Sequence, residues 1–369
     1  MGGIKMHNHT KRFAAPTLVA ACSIIALLAV TSAAQAQPKP PTTTDLEWGT
    51  FTLSPAIAER VTSGQPLRVV LSMEGPAIPV FGPQYMFGFG EGVKVAEKLS
   101  GVPIEGKFIG PTPPNMNEQI AQVRSLAAAN QLDCLSLEGG GAPTWIPIIK
   151  DLTDKGIPVF TVGEDIEGSQ RLGTFHTDWA LEGRMAAGAV VEYFKANNIE
   201  LKSLALASSV PDQPFARTRM TAFRDEIKAL VPTATFENEP ANAINGTFDP
   251  AATYSAIKAF LTGHAAVQVV YHTDINSGVV DKIITDTGAK GKMFAIGHNV
   301  SDEVLAAIKS GVQIGTIDQN YPSQSEWAAT VCSTYLTTGD ILPNTNEPVL
   351  VTAANADESL ANLKLTTGR

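Results

Sequence analysis

Polar and charged residues stand directly behind several apolar runs of strand length, and their types set the chemistry open to this chain. Glu138 follows 132–137 (LDCLSL), and Glu164 follows 157–162 (IPVFTV) across one glycine. Thr273 stands just behind 266–271 (AVQVVY), Asn299 behind 293–297 (MFAIG) and Gln319 behind 313–317 (QIGTI). Arg217 lies early in the helix-period stretch that follows 202–208 (KSLALAS). Phe81 and Tyr85 occupy the long segment after 67–72 (LRVVLS), and Phe248 precedes the helical stretch at 250–262. Carboxylates accept hydrogen bonds, a guanidinium donates them in a planar fork, and side-chain amides do both, so the set matches hydroxyl groups. Aromatic rings give flat apolar walls for the C–H faces of a sugar ring. Small-molecule pockets combine such walls with a few placed polar groups. The inventory suits a small, neutral, polyhydroxylated ligand.

Each group also has a plainer reading. Asp178, Asp249 and Asp274 stand where an aspartate caps a helix. Glu138 and Glu164 suit solvent-facing loops, and Arg217 suits a helix surface. Gly139-Gly140-Gly141 offers backbone N–H groups to a phosphate. It lacks the Lys-Ser/Thr tail of a P-loop and the spacing of a dinucleotide fingerprint, so a tight turn is expected there. The chain contains no G-x-S-x-G elbow and no H-E-x-x-H. His176, His264, His272 and His298 lack metal-ligand spacing. Glu164-Asp165 supplies two carboxylates, but neighbours on one loop do not flank a glycosidic bond. The expectation is a binding protein and not an enzyme, with no catalytic residue, metal or cofactor.

The elements that must position these groups alternate. Between the apolar runs lie helix-period stretches: Met220, Phe223, Ile227 and Leu230 share one face, as do Ile257, Phe260 and Leu261, and Val304, Leu305 and Ile308. Near-continuous apolar strands alternating with amphipathic helices predict parallel sheets covered on both faces. There are enough β-α units for two sheets, with a break near 175–178. Ligands of such sheets sit outside the carboxyl ends of the strands, where the polar groups fall.

The chain has 369 residues, 44% of them hydrophobic and 17% charged, which is ordinary globular composition and long enough for two domains. Lys5, Lys11 and Arg12 precede an apolar run from Phe13 to Val30 and then Ala34-Gln35-Ala36, a pattern of export with cleavage after Ala36. A lipoprotein box ending at Cys22 is the rival, but the apolar run continues past that cysteine. No other run is long enough to span a membrane, so a soluble extracytoplasmic protein is expected. Losing three basic residues with the leader takes the net charge from −9 to −12, which argues against nucleic acid as a partner. Export permits a disulfide between Cys134 and Cys332, yet both segments read as buried, and buried free thiols are the expectation. Residues 37–45, rich in Pro and Thr, read as a flexible leader, followed by a short extension to 65.

Taken in order, several strand ends resemble the ribose-binding-like branch of the periplasmic binding proteins. These are Ile157–Val162 with its polar triplet, Ala216-Arg217-Thr218-Arg219 followed by Ala222-Phe223, and Thr247-Phe248-Asp249. Ala266–Tyr271, Ile296-Gly297-His298-Asn299 and Gly315–Gln319 complete the series. The resemblance covers about 66–355. It implies a type I fold: two α/β lobes of Rossmann type, each with a parallel sheet, joined by three crossovers that act as a hinge. The implied lobes are 66–177 with 320–340, and 178–319 with 341–369. It implies a monomer that captures a monosaccharide or polyol in the periplasm and delivers it to an ABC permease. It gives Arg217, Asn299 and Gln319 as hydrogen-bonding residues, Phe248 as a stacking ring and Thr273 at a position where asparagine is common. Phe81 and Tyr85 stand for the aromatic pair of the first loop. Where the family has an Asp-Arg pair after its fourth strand, this chain has Gly163-Glu164, which opens the way to a ligand with a positive group. A receptor for a signal molecule or non-sugar metabolite, and an exported α/β hydrolase, are the alternatives.

Overall fold

A computed structural model describes residues 38–368, so the expected leader, its cleavage after Ala36 and the lipid site at Cys22 lie outside the described residues. The described residues open with an antiparallel hairpin, β1 (Thr43–Leu46) and β2 (Gly49–Thr52), and a short helix, α1 (Pro55–Thr62). Phe51, Leu53, Ile57 and Val61 from these elements are buried in the first core, and the Lys39 N–H donates to the Thr337 carbonyl. The stretch read as a flexible leader is therefore docked structure. Its Pro and Thr content masked a strand that pairs locally with β2 and docks on a helix far along the chain through Thr44 and Tyr335.

The first lobe continues with β3 (Leu67–Ser72), α2 (Phe81–Ser100), β4 (Ile104–Ile109), α3 (Met116–Ala128), β5 (Cys134–Leu137), α4 (Ile146–Thr153), β6 (Val159–Val162) and β7 (Gly173–Phe175). Its five strands run parallel in the order β4-β3-β5-β6-β7. The second lobe follows with α5 (Trp179–Ala196), β8 (Ser203–Ser208), α6 (Pro214–Leu230), β9 (Thr235–Phe236), β10 (Ile244–Asn245), α7 (Pro250–Gly263), β11 (Val269–His272), α8 (Ser277–Asp286), β12 (Phe294–His298), α9 (Asp302–Ser310) and β13 (Gln313–Asp318). The chain then returns to the first lobe as α10 (Tyr321–Thr338), crosses again to β14 (Val349–Val351) and ends in α11 (Ala356–Thr367). The second sheet has the order β10-β8-β11-β12-β13-β14, with β9 also against β8, and is parallel except for β14.

Alternate residues of the second sheet pack on opposite faces. Leu204, Leu206, Val269 and Tyr271 pack with Met220 and Phe223 of α6, while Ala205, Ala207 and Val270 pack with Ile257 of α7 and Val280 of α8. Both faces are thereby covered, which is why these strands read as unbroken apolar runs.

The helix α10 belongs to the first core. Trp327 stacks on Phe175, with ring centroids 4.7 Å apart, and Val331, Tyr335 and Leu336 are buried beside it. Gly88 and Gly92, one turn apart on α2, let α10 approach closely. A Cβ on Gly88 would lie 2.1 Å from the Pro322 carbonyl oxygen, and one on Gly92 would lie 2.5 Å from that of Glu326. Cys134 of β5 is bonded to Cys332 of α10, with Cα atoms 5.7 Å apart. The expectation of free thiols is corrected here: both sulfurs are buried because the bond itself lies in the core between sheet and helix. The spacing of their Cα atoms is ordinary for a disulfide.

Three connections join the lobes, between β7 and α5, between β13 and α10, and between α10 and β14. They are tied to one another. Asn344 Nδ2 donates to the His176 carbonyl (2.8 Å), and Asn346 Nδ2 donates to that of Gln319 (3.2 Å).

Candidate functional site

Because β3, β5 and β6 are neighbours in the first sheet, the residues behind their carboxyl ends meet. These are Glu74, Glu138 and Glu164. Glu138 is buried and accepts from the backbone N–H groups of Glu74 (3.2 Å) and Gly140 (3.3 Å). Burial, then the nearby Glu164, pushes its pKa up to about 7 against the pull of those two donors. Burial also pushes Glu164 up to about 7, opposed by Arg219 and reinforced by Glu74. The charge of Arg219, on the second lobe, thus reaches Glu164 on the first, so the two strand-end faces look at each other. Gly163 has φ +81°, and a Cβ there would lie 2.8 Å from the Tyr85 hydroxyl, so β6 can turn into the site only with glycine at this position.

The second lobe contributes a buried guanidinium. Arg219, on α6, donates from Nε to Glu182 of α5 (2.5 Å), from Nη1 to the Thr273 carbonyl (2.9 Å) and from Nη2 to Gln319 Oε1 (2.6 Å). Its guanidinium also lies 4.9 Å from the centre of the Phe215 ring. Burial works against its charge, but Glu182 together with Tyr271 and Tyr321 outweighs that effect and holds its pKa above the ordinary value. Tyr271 and His298 Nε2 share a hydrogen bond of 2.8 Å, and burial lowers the pKa of both His298 and His272.

The two halves are bridged by amides and phenols. Gln319 Nε2 donates to Asn299 Oδ1 (2.7 Å) and to the Tyr321 hydroxyl (2.8 Å), and that hydroxyl donates to Asn299 Oδ1 (2.6 Å). Gln324 Nε2 donates to the Gln319 carbonyl, while its Oε1 accepts from Tyr85 (2.6 Å). Phe81, Tyr85 and Tyr321 pack together, with Phe81 4.8 Å and 4.9 Å from the other two ring centres. The result is a chain of hydrogen bonds from Glu182 through Arg219, Gln319 and Tyr321, with carboxylates facing it. Such a set can donate to and accept from a ring of hydroxyls.

Among the residues singled out in the sequence, Glu138, Glu164, Asn299, Gln319, Phe81 and Tyr85 fall in this region. Thr273 does too, but its carbonyl makes the contact with Arg219. Arg217 lies elsewhere. Its side chain is 58% exposed, pairs with Asp212 and lines an open groove between α5 and α6 with Arg184 and Thr221. Phe248 is 58% exposed. Asp178 and Asp249 cap α5 and α7 through Leu181 N–H and Ala252 N–H. Asp274 does otherwise: it is buried and accepts from the Ser208 hydroxyl and from the backbone and hydroxyl of Ser209. Burial raises its pKa, but the His272 ring and the Ser209 donors outweigh this and hold it below the ordinary value. Arg219 and Glu74 are noted in the sequence but not selected as site residues, and Tyr321 and Gln324 are passed over. The available signal was position: Glu74 follows β3, and Tyr321 follows β13.

Two lobes with parallel sheets, three crossovers and facing strand ends lined with hydrogen-bonding groups define a two-lobed binding protein. Residues 77–340 match the periplasmic binding protein domain, and the chain belongs to that family. No curated protein matched the chain. Among solved structures it is similar to the glucose-galactose binding protein of Geobacillus stearothermophilus, with a TM-score of 0.66 and 21% identity over 79% of this chain and 99% of that one. It is also similar to the arabinose binding protein of the same organism (0.66, 20%, 79% and 99%). The Caulobacter myo-inositol binding protein, bound to myo-inositol, gives 0.63 and 19% over 79% of this chain and 94% of that one. Among the described residues no helix is long and apolar enough to cross a membrane.

Proposed function

We propose that the protein captures a monosaccharide or polyol between its lobes, outside the cytoplasm, and delivers it to an ABC permease as a monomer. The observation that carries this reading is the chain of donors and acceptors from Arg219 through Gln319, Asn299 and Tyr321, set opposite Glu138 and Glu164. The names of the similar solved structures, which bind hexoses, arabinose and myo-inositol, support the same class of ligand. In this reading Arg219, Gln319, Asn299, Glu164 and Glu138 hold hydroxyls, Phe81 forms an apolar wall, and the three connections between lobes act as the hinge.

A thermal-shift screen of residues 37–369 against pentoses, hexoses and polyols tests the proposal. A ligand at about 100 times its Kd adds about 2.7 kcal/mol of stability, which raises the melting temperature visibly. The active compound should also reduce the radius of gyration in solution scattering as the lobes close. Silence across the whole panel would count against a sugar or polyol.

A further inference from the structure

We propose that the ligand of this cleft carries a positively charged amine as well as hydroxyls, as an amino sugar or an aminated polyol does. The inference rests on the reading of the cleft as a site for a small polyhydroxylated molecule.

Glu74, Glu138 and Glu164 stand behind three adjacent strands: Glu138 accepts from the N–H groups of Glu74 (3.2 Å) and Gly140 (3.3 Å), and a Cβ on Gly140 or Gly141 would lie 3.5 Å from Glu74 Oε2 or 2.8 Å from Glu164 Oε2. Among the described residues none of the three forms an ion pair. The nearby guanidinium groups are already engaged, Arg171 by Asp165 and Arg219 by Glu182. Among the described residues the Glu164 side chain accepts no hydrogen bond. Glu164 is half-buried, with its Oε2 beside Gly141.

An uncompensated carboxylate enclosed by protein is costly unless a cation or several donors reach it. A ligand with hydroxyls alone leaves the negative charge of this end unbalanced when the lobes shut out water. An ammonium group brings one positive charge and three N–H donors, which suits the Glu164 carboxylate, with two acidic neighbours and no ion pair or hydrogen bond among the described residues. Arg219, Gln319 and Asn299, at the other end of the cleft, remain for the hydroxyls. A metal ion is the competing cation, but among the described residues no group of three or more His, Cys, Asp or Glu side chains is placed to hold one. The geometry therefore favours an organic ammonium.

Calorimetry at pH 7.5 with matched probes tests this. The probes are galactose with galactosamine and N-acetylgalactosamine, glucose with its corresponding pair, and myo-inositol with an inosamine and its N-acetyl form. In at least one set the free amine should bind about tenfold tighter than both neutral partners, the margin by which a hydrogen bond to a charged group exceeds a neutral one. Its affinity should fall by about tenfold at pH 5.5, where Glu138 and Glu164 take up protons. Glu164→Gln and, independently, Glu74→Gln should shrink the advantage of the amine. Neutral probes that bind as tightly as their amines, or tighter, would overturn the inference and leave the sugar reading standing. If no probe binds, charged or neutral, both fall together.

Discussion

The Nε of Arg219 lies 2.5 Å from Glu182 Oε2, and both side chains are almost completely buried. The pair joins α5 to α6 and aims the other two arms of the guanidinium at Thr273 and Gln319. One ion pair thus both fastens the second lobe and orients its contribution to the cleft.

Arg219→Ala would leave the Glu182 carboxylate buried without its partner. It should cost about 3–5 kcal/mol, the range for breaking a buried pair from one side, and it should abolish ligand binding. Arg217→Ala removes a surface pair with Asp212 and should change stability by no more than about 0.5 kcal/mol, with affinity unaltered. Melting temperatures and calorimetric titrations of the two variants, side by side, separate the roles of the two arginines.

Close packing of α2 on α10 gives a second contrast. Gly88→Ala drives a Cβ into the Pro322 carbonyl and should destabilise by about 1–3 kcal/mol, as overpacking does. A Cβ on Gly90, on the same helix, would meet nothing within 4 Å. Gly90→Ala should therefore stabilise by about 0.4–1 kcal/mol through the unfolded chain. Denaturation midpoints of both variants check the pair.

Burial raises Glu138 to about 7, and burial alone raises Asp281 to about 8. For a carboxyl with a raised folded pKa, the folded state holds the proton after the unfolded state has released it. The stability from this source is complete below about pH 4 and is lost as pH rises through 7 to 8. Glu138→Gln and Asp281→Asn do not titrate, so each should gain on the wild type as pH rises, by up to about 3 kcal/mol for Glu138. Melting curves from pH 4 to 9 should show the gap widening upward; a gap that widens toward acid would contradict the assignment.

The bond between Cys134 and Cys332 closes a long loop, with a sequence separation of 198. Its reduction should lower stability by about 2–5 kcal/mol. Unfolded residues 37–369 should show no free thiol without reductant and two after it. Cys332→Ser should melt near the reduced protein.

Much of the architecture was readable because both sheets are covered on two sides. All seven apolar runs became strands, from β3 to β13, since burial on both faces demands apolar residues without a break. β4 was not seen. It is an edge strand, and its Glu105, Gly106 and Lys107 face outward. β7 and β14 are three residues long, too short for any period to register. In the site, Glu138, Asn299 and Gln319 were visible because a parallel sheet puts its carboxyl ends to use. Choosing between Arg217 and Arg219 was a different problem. Two residues on a helix point about 200° apart, and only the packing of α6 on the sheet says which one turns inward. Tyr321 and Gln324 come from the returning helix, whose place beside the first lobe is a tertiary fact that local sequence does not carry. The disulfide was missed for the same reason.

That disulfide also makes a covalent ring of the chain from Cys134 to Cys332. The ring contains every strand of the second sheet except β14, and two of the three connections between lobes. A protease that nicks any one loop within it produces two chain ends but no separate fragment. A cut between α10 and β14 falls outside the ring and detaches only the last stretch, β14 and α11, from the covalent frame. The stretches exposed to loss by a single cleavage are therefore the two outside the ring, the N-terminal one through α3, which carries Glu74, Phe81 and Tyr85, and the C-terminal tail, whereas Glu138, Glu164, Arg219, Asn299, Gln319 and Tyr321 stay on one molecule whichever loop is cut.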